Sequence, residues 1–328
     1  MSPVETGVTG GTAAVPAQTL PPARATSQAP ESPATGPPLP AEVPPAEVPP
    51  AEVLVDGTPV RYAVSGSGSR DLLLVHGYRA HHLWWYRLLP ALERRWRVIR
   101  LDLSGHGDSG HRETYTVDGW VAELAAVLDA AGSRHALLAG HSMGGRVSVV
   151  AGAELPDRFG GLVLLDALLR PPGSASPRMG ALPPGREIVY PSREAAAARF
   201  QLQPAQPVPA ADLVRPVAEY ATRRRATADG WTWKFDQRGI PPIDNARVVE
   251  SLPRLRAPVW YVRAGRSRVV TDEAAAYARC VLPASTTFVT LPDAHHHLIL
   301  DSPAECADLL ADLHADLAAT VHPRRPAA

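Results

Sequence analysis

The sequence predicts an α/β fold with a mostly parallel, doubly wound sheet and an inserted helical cap. Short apolar runs without strict alternation are typical of parallel strands that are buried on both faces. Between these runs lie longer stretches in which apolar residues recur at helical spacing, and such alternation of strands and helices indicates a doubly wound sheet. The strand-like runs are 72–75, 98–101, 136–139, 162–165, 259–262 and 287–291; the helical stretches are 83–94, 117–131, 143–154, 272–281 and 303–319.

The beginning of the chain differs in composition from the rest. Residues 1–51 hold 13 of the 35 prolines and no aromatic side chain, and they end in a repeated Ala-Glu-Val-Pro-Pro pattern. A segment with so little apolar surface cannot offset the conformational entropy that ordering costs. We therefore expect a disordered Pro/Ala-rich tail over residues 1–51, a domain over 52–320 with its core in 52–166 and 248–320, and a C-terminal tail over 321–328.

The domain is predicted to begin with a β-hairpin and to carry one long insertion. Apolar residues alternate on both sides of Asp56-Gly57, a dipeptide typical of a tight turn between antiparallel strands. Residues 167–247 contain no strand-like run, but Pro-rich turns and helical stretches at 192–200 and 212–225. Because this is too long for a connecting loop, we expect a helical lid over the carboxyl ends of the strands.

The charge is balanced, with 33 basic and 33 acidic residues and a pI near 7.2. A chain without a basic surplus lacks the electrostatic attraction that nucleic acids and anionic membranes require, so we expect neither as a partner. The N-terminus has no signal-peptide pattern, and no stretch reaches the ~18 apolar residues that a membrane span needs. We expect a cytoplasmic protein that acts on a small molecule without a cofactor; the pattern does not indicate an oligomeric state.

A candidate nucleophile lies in residues 140–144, which read Gly-His-Ser-Met-Gly. An apolar run precedes this motif and a helical pattern follows it, which is the setting in which a serine stands at the tip of a sharp strand-to-helix turn. Glycines two residues before and after Ser142 fit such a turn because larger side chains would collide there. At a helix N-terminus, the helix dipole also favours a developing negative charge near Ser142.

Two backbone amides are predicted to complete this site. Gly77 lets the chain turn after the strand at 72–75, so that the N–H of Tyr78 faces the pocket and forms a two-donor oxyanion hole with the N–H of Met143. We expect His76, Gly77 and His141 to contact the substrate. Trp233 is a further candidate, because residues 231–235 of the insertion concentrate aromatic side chains.

The run His295-His296-His297 follows the last predicted strand. Consecutive side chains are expected to diverge, so three adjacent histidines do not form the spaced ligand pattern of a typical metal site. The sequence therefore predicts no metal site here.

Four segments together resemble the α/β-hydrolase superfamily: His76-Gly77, 102–109, 140–145 and 292–303. The resemblance covers about residues 53–320 and implies the α/β-hydrolase fold with a Ser-His-acid triad. It implies Ser142 as the nucleophile and His296 as the general base, since the superfamily's histidine usually lies seven residues before the proline that opens the last helix. His297 is the fallback.

The triad acid is where the sequence departs from the superfamily pattern. The usual carboxylate follows the strand at 259–262, but Arg268 stands in that position. Asp166, at the end of the strand at 162–165, is the favoured substitute because some relatives of the superfamily place the acid there. Asp272 stays open as the alternative, although its position is that of a helix N-cap or first-turn carboxylate.

The resemblance implies a serine hydrolase that cleaves a small, largely uncharged ester, lactone or thioester through an acyl-enzyme intermediate. The balanced charge and the aromatic side chains around Trp233 favour an uncharged substrate. A carbon–carbon bond hydrolase and a cofactor-free perhydrolase would use the same residues. Because Arg268 replaces the usual acid, a non-catalytic protein that binds a small ligand on the hydrolase fold is the third hypothesis.

Overall fold

A computed structural model describes residues 50–174, 186–207, 211–225 and 229–321. The predicted tails over 1–51 and 321–328 lie almost entirely outside these residues. The first strand begins at Ala51, one residue before the predicted start of the domain. Within the described residues, no helix is long and apolar enough to cross a membrane.

The predicted α/β architecture is confirmed. The described strands are β1 (Ala51–Val55), β2 (Thr58–Ser65), β3 (Asp71–Val75), β4 (Arg97–Leu101), β5 (Ala136–His141), β6 (Phe159–Leu165), β7 (Thr222–Arg224), β8 (Trp231–Trp233), β9 (Val259–Ala264) and β10 (Thr287–Leu291). Eight of them form one sheet in the order β1-β2-β4-β3-β5-β6-β9-β10. β1 and β2 form the predicted hairpin, β2 pairs antiparallel with β4, and all other pairs in this sheet are parallel.

The described helices include two with the predicted bounds, α3 and α7. The set is α1 (Leu89–Leu92), α2 (Val117–Ala130), α3 (Met143–Glu154), α4 (Arg193–Ala197), α5 (Ala211–Tyr220), α6 (Asn245–Ser251), α7 (Asp272–Val281), α8 (Leu298–Asp301) and α9 (Pro303–Val321). The prediction of one helix over 83–94 is wrong, since a 3₁₀ turn at His82–Trp85 precedes the short α1. Pro90 explains the break, because it has no N–H to donate and is tolerated only in a first helical turn.

The hydrophobic core lies on both faces of the sheet. Leu73 and Val75 of β3 join a cluster with side chains of α2, α3 and α7, whereas Leu72 and Leu74 join a second cluster with α1 and α9. These four side chains are fully buried. A parallel strand covered on both faces is expected to be apolar throughout, as β3 is.

The sequence predicted a helical insertion between β6 and α6, but the observed insertion is not purely helical. Its described residues contain α4 and α5, but also the antiparallel pair β7 and β8. The predicted helix over 212–225 ends at Tyr220, because Thr222 of β7 pairs with Trp233 of β8. Threonine and tryptophan both favour strands, which is consistent with this hairpin.

Polar contacts fix the insertion to the core. Tyr220 donates its hydroxyl proton to Asp102 at 3.1 Å, and the Lys234 ammonium lies 2.8 Å from the carboxylate of Asp108. The Asp102 side chain is fully buried and also accepts from the backbone N–H of His82 at 2.7 Å. The insertion is therefore bound to the loop after β4, beside the carboxyl ends of the strands.

Strand order places the candidate site. From β3 the chain crosses first to β4 on one side and later to β5 on the other side. The loops that follow β3 and β5 therefore meet where the direction of winding reverses, which is the usual position of ligand sites in open α/β sheets. His76-Gly77-Tyr78 and Ser142 lie in these two loops.

Candidate active site

Ser142 occupies a sharp turn between β5 and α3. Its backbone has φ +53° and ψ −114°, a conformation that is strained for a residue with a side chain. A Cβ atom at Gly140 or Gly144 would come within 2.4 or 2.3 Å of a backbone oxygen, so both positions require glycine. The turn therefore has the geometry that the motif predicts.

Ser142 lies in a cavity of about 430 Å³ between the sheet and the insertion. The core side contributes Tyr78, Met143, His141 and His296, and the insertion contributes mostly apolar residues. The apolar part of the wall includes Leu168, Pro204, Ile240, Pro241, Pro242 and Ile243. This volume suits a small organic molecule.

The backbone amides of Tyr78 and Met143 belong to residues of the cavity wall. Among the described residues, neither amide donates to a backbone carbonyl or a side chain. For Met143 this is expected, because the first residues of a helix have no intrahelical acceptor. Both amides are thus available as donors beside Ser142.

His296 is paired with Asp166. The distance from His296 Nδ1 to Asp166 Oδ2 is 2.7 Å. Both residues are buried, with exposed fractions of 4% for His296 and 0% for Asp166. Because a carboxylate accepts, Nδ1 carries the proton and Nε2 is left as the unprotonated nitrogen of the neutral ring. The structure describes no hydrogen bond between Ser142 and His296, although both line the cavity; such bonds often tighten only when substrate binds.

Asp166 is held by three further hydrogen bonds. Its amide donates to the carbonyl of Val262 at 2.7 Å, while its carboxylate accepts from the amide of Ala264 at 3.0 Å and from the hydroxyl of Ser267 at 2.5 Å. Its φ of +45° lies in the left-handed region, as does that of Ser142. The carboxylate that receives His296 is therefore rigidly oriented and cut off from water.

Asp272, the alternative acid, lies elsewhere. It is the first residue of α7, its side chain is 93% exposed, and it forms an ion pair with Arg263 at 2.6 Å. The structure thus puts Asp272 in the first-turn position that the sequence indicated and puts Asp166 beside His296.

Three buried histidines lie on the wall of the cavity that contains Ser142. One ring nitrogen each from His141, His296 and His297 lies within 4.8 Å of the others, so these residues could hold a metal ion. The expectation that consecutive side chains diverge is wrong for His296 and His297, whose ring centres are 4.9 Å apart. An ion at the Nε2 of His296 would occupy the nitrogen that a general base needs, so the absence of a required metal stays a prediction.

His141 has a fixed orientation. Its Nε2–H donates to the backbone carbonyl of His296 at 2.8 Å, which ties the loop after β5 to the loop that carries His296. Burial, with a smaller contribution from His296, lowers the pKa of His141 to about 3. The ring is therefore neutral and acts as a spacer and donor rather than as an acid.

Comparison with known proteins identifies the family. A family model described as the Alpha/beta hydrolase family matches residues 72–309, which is more than half of the 328 residues. The chain belongs to this family. Its mostly parallel central sheet is the fold that the family resemblance implied.

Individual relatives and structures agree with this assignment. The chain is 36% identical over 125 residues to Lipase LipV from Mycobacterium tuberculosis (37% of this chain, 46% of that protein) and 32% identical over 120 residues to Strigolactone esterase RMS3 from Pisum sativum (34% and 45%). The chain thus spans less than half the length of these curated relatives. The solved thioesterase domain from the curacin biosynthetic pathway shares the fold, with a TM-score of 0.68 at 22% identity over 81% of this chain and 100% of that one.

The structure places two of the predicted substrate contacts, His76 and Gly77, off the described wall of the Ser142 cavity. His76 is fully buried and is not on the cavity wall: its Nδ1 donates to the carbonyl of Gly77 at 2.7 Å, and its Nε2 accepts from the amide of Leu103 at 3.1 Å. Gly77 is a point of close approach, since a Cβ there would lie 3.3 Å from the Cβ of Ser142. Both residues shape the loop beside Ser142, and their contact with a substrate stays a prediction.

Trp233 lies in a neighbouring cavity of about 210 Å³, not in that of Ser142. The two cavities share Tyr78, Trp84 and Gln203. His141 is thus the predicted contact residue that the structure puts on the wall around Ser142.

Three arginines on the cavity wall, Arg146, Arg170 and Arg268, were not among the residues predicted to contact the substrate. Arg146 lies four residues after Ser142 on α3, and Arg170 lies four residues after Asp166, so their spacing from predicted site residues could have drawn attention to them. The prediction of an uncharged substrate came from the balance of the whole chain, which does not describe this wall.

The buried histidines of this family member predict sensitivity to acid. Burial lowers the pKa of His141 to about 3 and holds the pKa values of His81 and His297 well below 6.5. Below pH ~6.5 the unfolded chain binds protons at these rings whereas the folded chain does not. The free energy of unfolding should thus fall as the pH falls below ~6.5, by up to about 1.4 kcal/mol per pH unit for each histidine.

Urea unfolding at pH 7.5 and at pH 5.0 measures this effect. We expect a lower urea concentration at the midpoint of unfolding at pH 5.0 than at pH 7.5. His297→Gln should reduce the difference between the two midpoints. Equal midpoints in the parent chain would show that these rings are protonated in the folded state.

Proposed function

We propose that this chain is a serine hydrolase that cleaves a small ester, lactone or thioester through an acyl-enzyme intermediate. The observation that carries the proposal is the 2.7 Å contact between the buried carboxylate of Asp166 and Nδ1 of His296, a residue that lines the same cavity as Ser142. This pairing leaves the Nε2 of His296 free to take a proton from a nucleophile.

In the proposed mechanism, Ser142 Oγ attacks the carbonyl carbon of the substrate while His296 Nε2 takes the hydroxyl proton. Asp166 stabilises the imidazolium that results, and the amides of Tyr78 and Met143 stabilise the oxyanion. His296 then returns the proton to the leaving alcohol or thiol, which departs and leaves an ester on Ser142. Water, activated by the same ring, hydrolyses that ester and regenerates the serine.

The third hypothesis, a non-catalytic binding protein, rested on Arg268 in place of the usual acid. That ground is weakened, because Asp166 occupies the position beside His296 that an orienting acid needs. The matching relatives named as a lipase and an esterase also support hydrolysis of esters.

The proposal is tested by letting water and hydroxylamine compete for the butanoyl-enzyme that all substrates of the test would form. Butanoate esters of 4-nitrophenol and phenol, and the thiophenol thioester, would be hydrolysed in the presence of hydroxylamine. An acyl-enzyme has lost the leaving group, so the ratio of hydroxamate to butanoate should be the same for all three substrates. A ratio that changes with the leaving group would mean direct attack on the substrate and would contradict the acyl-enzyme mechanism.

A further inference from the structure

The charge on the cavity wall is one-sided. Arg146, Arg170 and Arg268 line the cavity around Ser142, and no Asp or Glu is among its described lining residues. Like charges around one cavity repel one another, and an anion that enters the cavity would offset that repulsion.

Arg146 is held in place by the insertion. One of its terminal nitrogens donates to the carbonyl of Ile243 at 2.9 Å and to the side-chain oxygen of Asn245. Its Nε is buried and has no hydrogen-bond partner among the described residues. Neutral acceptors thus orient the guanidinium without neutralising it.

Arg170 adds to the positive field. Burial, and next the charge of Arg170, lower the pKa of Arg146 to about 10, with Asp244 opposing the change. Arg146 therefore stays protonated at neutral pH, although the positive charge of Arg170 repels its own. A partly desolvated pair of guanidiniums is a typical binding site for a carboxylate or phosphate.

Arg268 also lines the cavity. It follows Ser267, whose hydroxyl donates to Asp166 at 2.5 Å and accepts from the amides of Val269 and Val270 at 3.1 Å each. Arg268 is exposed and forms no ion pair among the described residues. The contact that orients the proposed acid thus also fixes the loop that presents this cation.

We propose that the Ser142 cavity selects substrates that carry an anionic oxygen group, a carboxylate or a phosphate, bound by Arg146, Arg170 and Arg268. This inference rests on the proposed function and defines the class of substrate for it. The apolar wall formed by residues 240–243 would hold the carbon chain between the anion and the reacting carbonyl. The inference replaces the expectation of an uncharged substrate.

Two matched pairs of substrates test the inference and distinguish the two sources of the anion. Mono-4-nitrophenyl glutarate and 4-nitrophenyl pentanoate differ in a carboxylate on the acyl chain. Butanoyl phosphopantetheine and butanoyl pantetheine differ in a phosphate on the leaving group. We expect kcat/KM to favour the anionic member of at least one pair by about tenfold or more, mainly through KM, because a charge-assisted hydrogen bond contributes that much.

Arg170→Gln and Arg268→Gln should each reduce this preference by about fivefold or more. Arg266→Gln is the matched control: Arg266 lies in the same loop as Arg268, but it pairs with Asp293 at 2.6 Å and is not on this wall. The control should keep the preference. Added salt should weaken the preference of the parent chain.

The inference would be wrong if neither pair showed a preference, or if the preference survived in the double variant Arg170→Gln/Arg268→Gln. If the pentanoate and pantetheine substrates are hydrolysed without such a preference, the proposed function stands and only the substrate class fails. If no substrate is hydrolysed, the proposed function fails, and calorimetric titration with glutarate and with neutral pentanamide then decides the inference. The inference is supported if the parent chain binds glutarate but not pentanamide and the double variant does not bind glutarate. It is overturned if the parent chain binds the two ligands equally or binds neither.

Discussion

Replacing Ser142 with alanine is expected to lower kcat for ester hydrolysis by on the order of 10⁴- to 10⁶-fold, because the chain then has no atom on which to form the acyl intermediate. The substitution keeps the Cβ and removes only the hydroxyl. Since serine already has φ +53° here, alanine adds no new backbone strain. Steady-state rates with 4-nitrophenyl butanoate and a thermal melt of both proteins measure the effect.

Ser148 offers a matched control on the same helix. It is buried, and its hydroxyl donates to the carbonyl of Gly144 at 2.8 Å. Ser148→Ala should keep kcat within a few-fold of the parent value, although it removes a hydroxyl from α3. Equal losses in the two variants would point to a disturbed helix rather than a lost nucleophile, and full activity in Ser142→Ala would reject Ser142 as the nucleophile.

The second large effect is expected at Asp166. Asp166→Asn should lower kcat on the order of 10³- to 10⁴-fold, because an amide neither holds the Nδ1 proton of His296 nor stabilises the imidazolium as a carboxylate does. The side chain keeps its shape, and its remaining oxygen can still accept from the N–H of Ala264. The loss should therefore appear in kcat while the melting temperature changes much less.

Asp272→Asn is the control for this prediction, because it changes the same residue type at the exposed start of α7. The ion pair of Asp272 with Arg263 is solvated, so its loss should cost at most about 1 kcal/mol of stability. Activity should stay within a few-fold of the parent. A larger loss of kcat in Asp272→Asn than in Asp166→Asn would show that the acid was assigned to the wrong residue.

Local patterns explain why much of the fold and part of the site could be predicted. Buried parallel strands and amphipathic helices leave their period in the sequence, so α3 and α7 were predicted with their observed bounds. The turn at Ser142 is specified by two nearby glycines and by the strand and helix on either side of it. His296 and Asp166 were predicted from the resemblance to the superfamily; both follow strands whose carboxyl ends lie at the same edge of the sheet.

Features that depend on direction and long-range packing were not predictable in the same way. The hairpin of β7 and β8 has strands of three residues, too short to show a period. His76 lies next to the active site in sequence, yet its ring turns into the core and binds the loop after β4. A net charge of zero cannot show that three arginines from three separate segments meet at one cavity.

Covalent trapping tests the central claim most directly. The folded parent chain would be treated with a fluorophosphonate, which reacts with activated serines, and the modified residue would be located by peptide mass spectrometry. The proposed function predicts one adduct per chain on Ser142, slow labelling in Asp166→Asn and none in Ser142→Ala. Absence of an adduct in the folded parent chain, or an adduct on another residue while Ser142 stays unmodified, would contradict it.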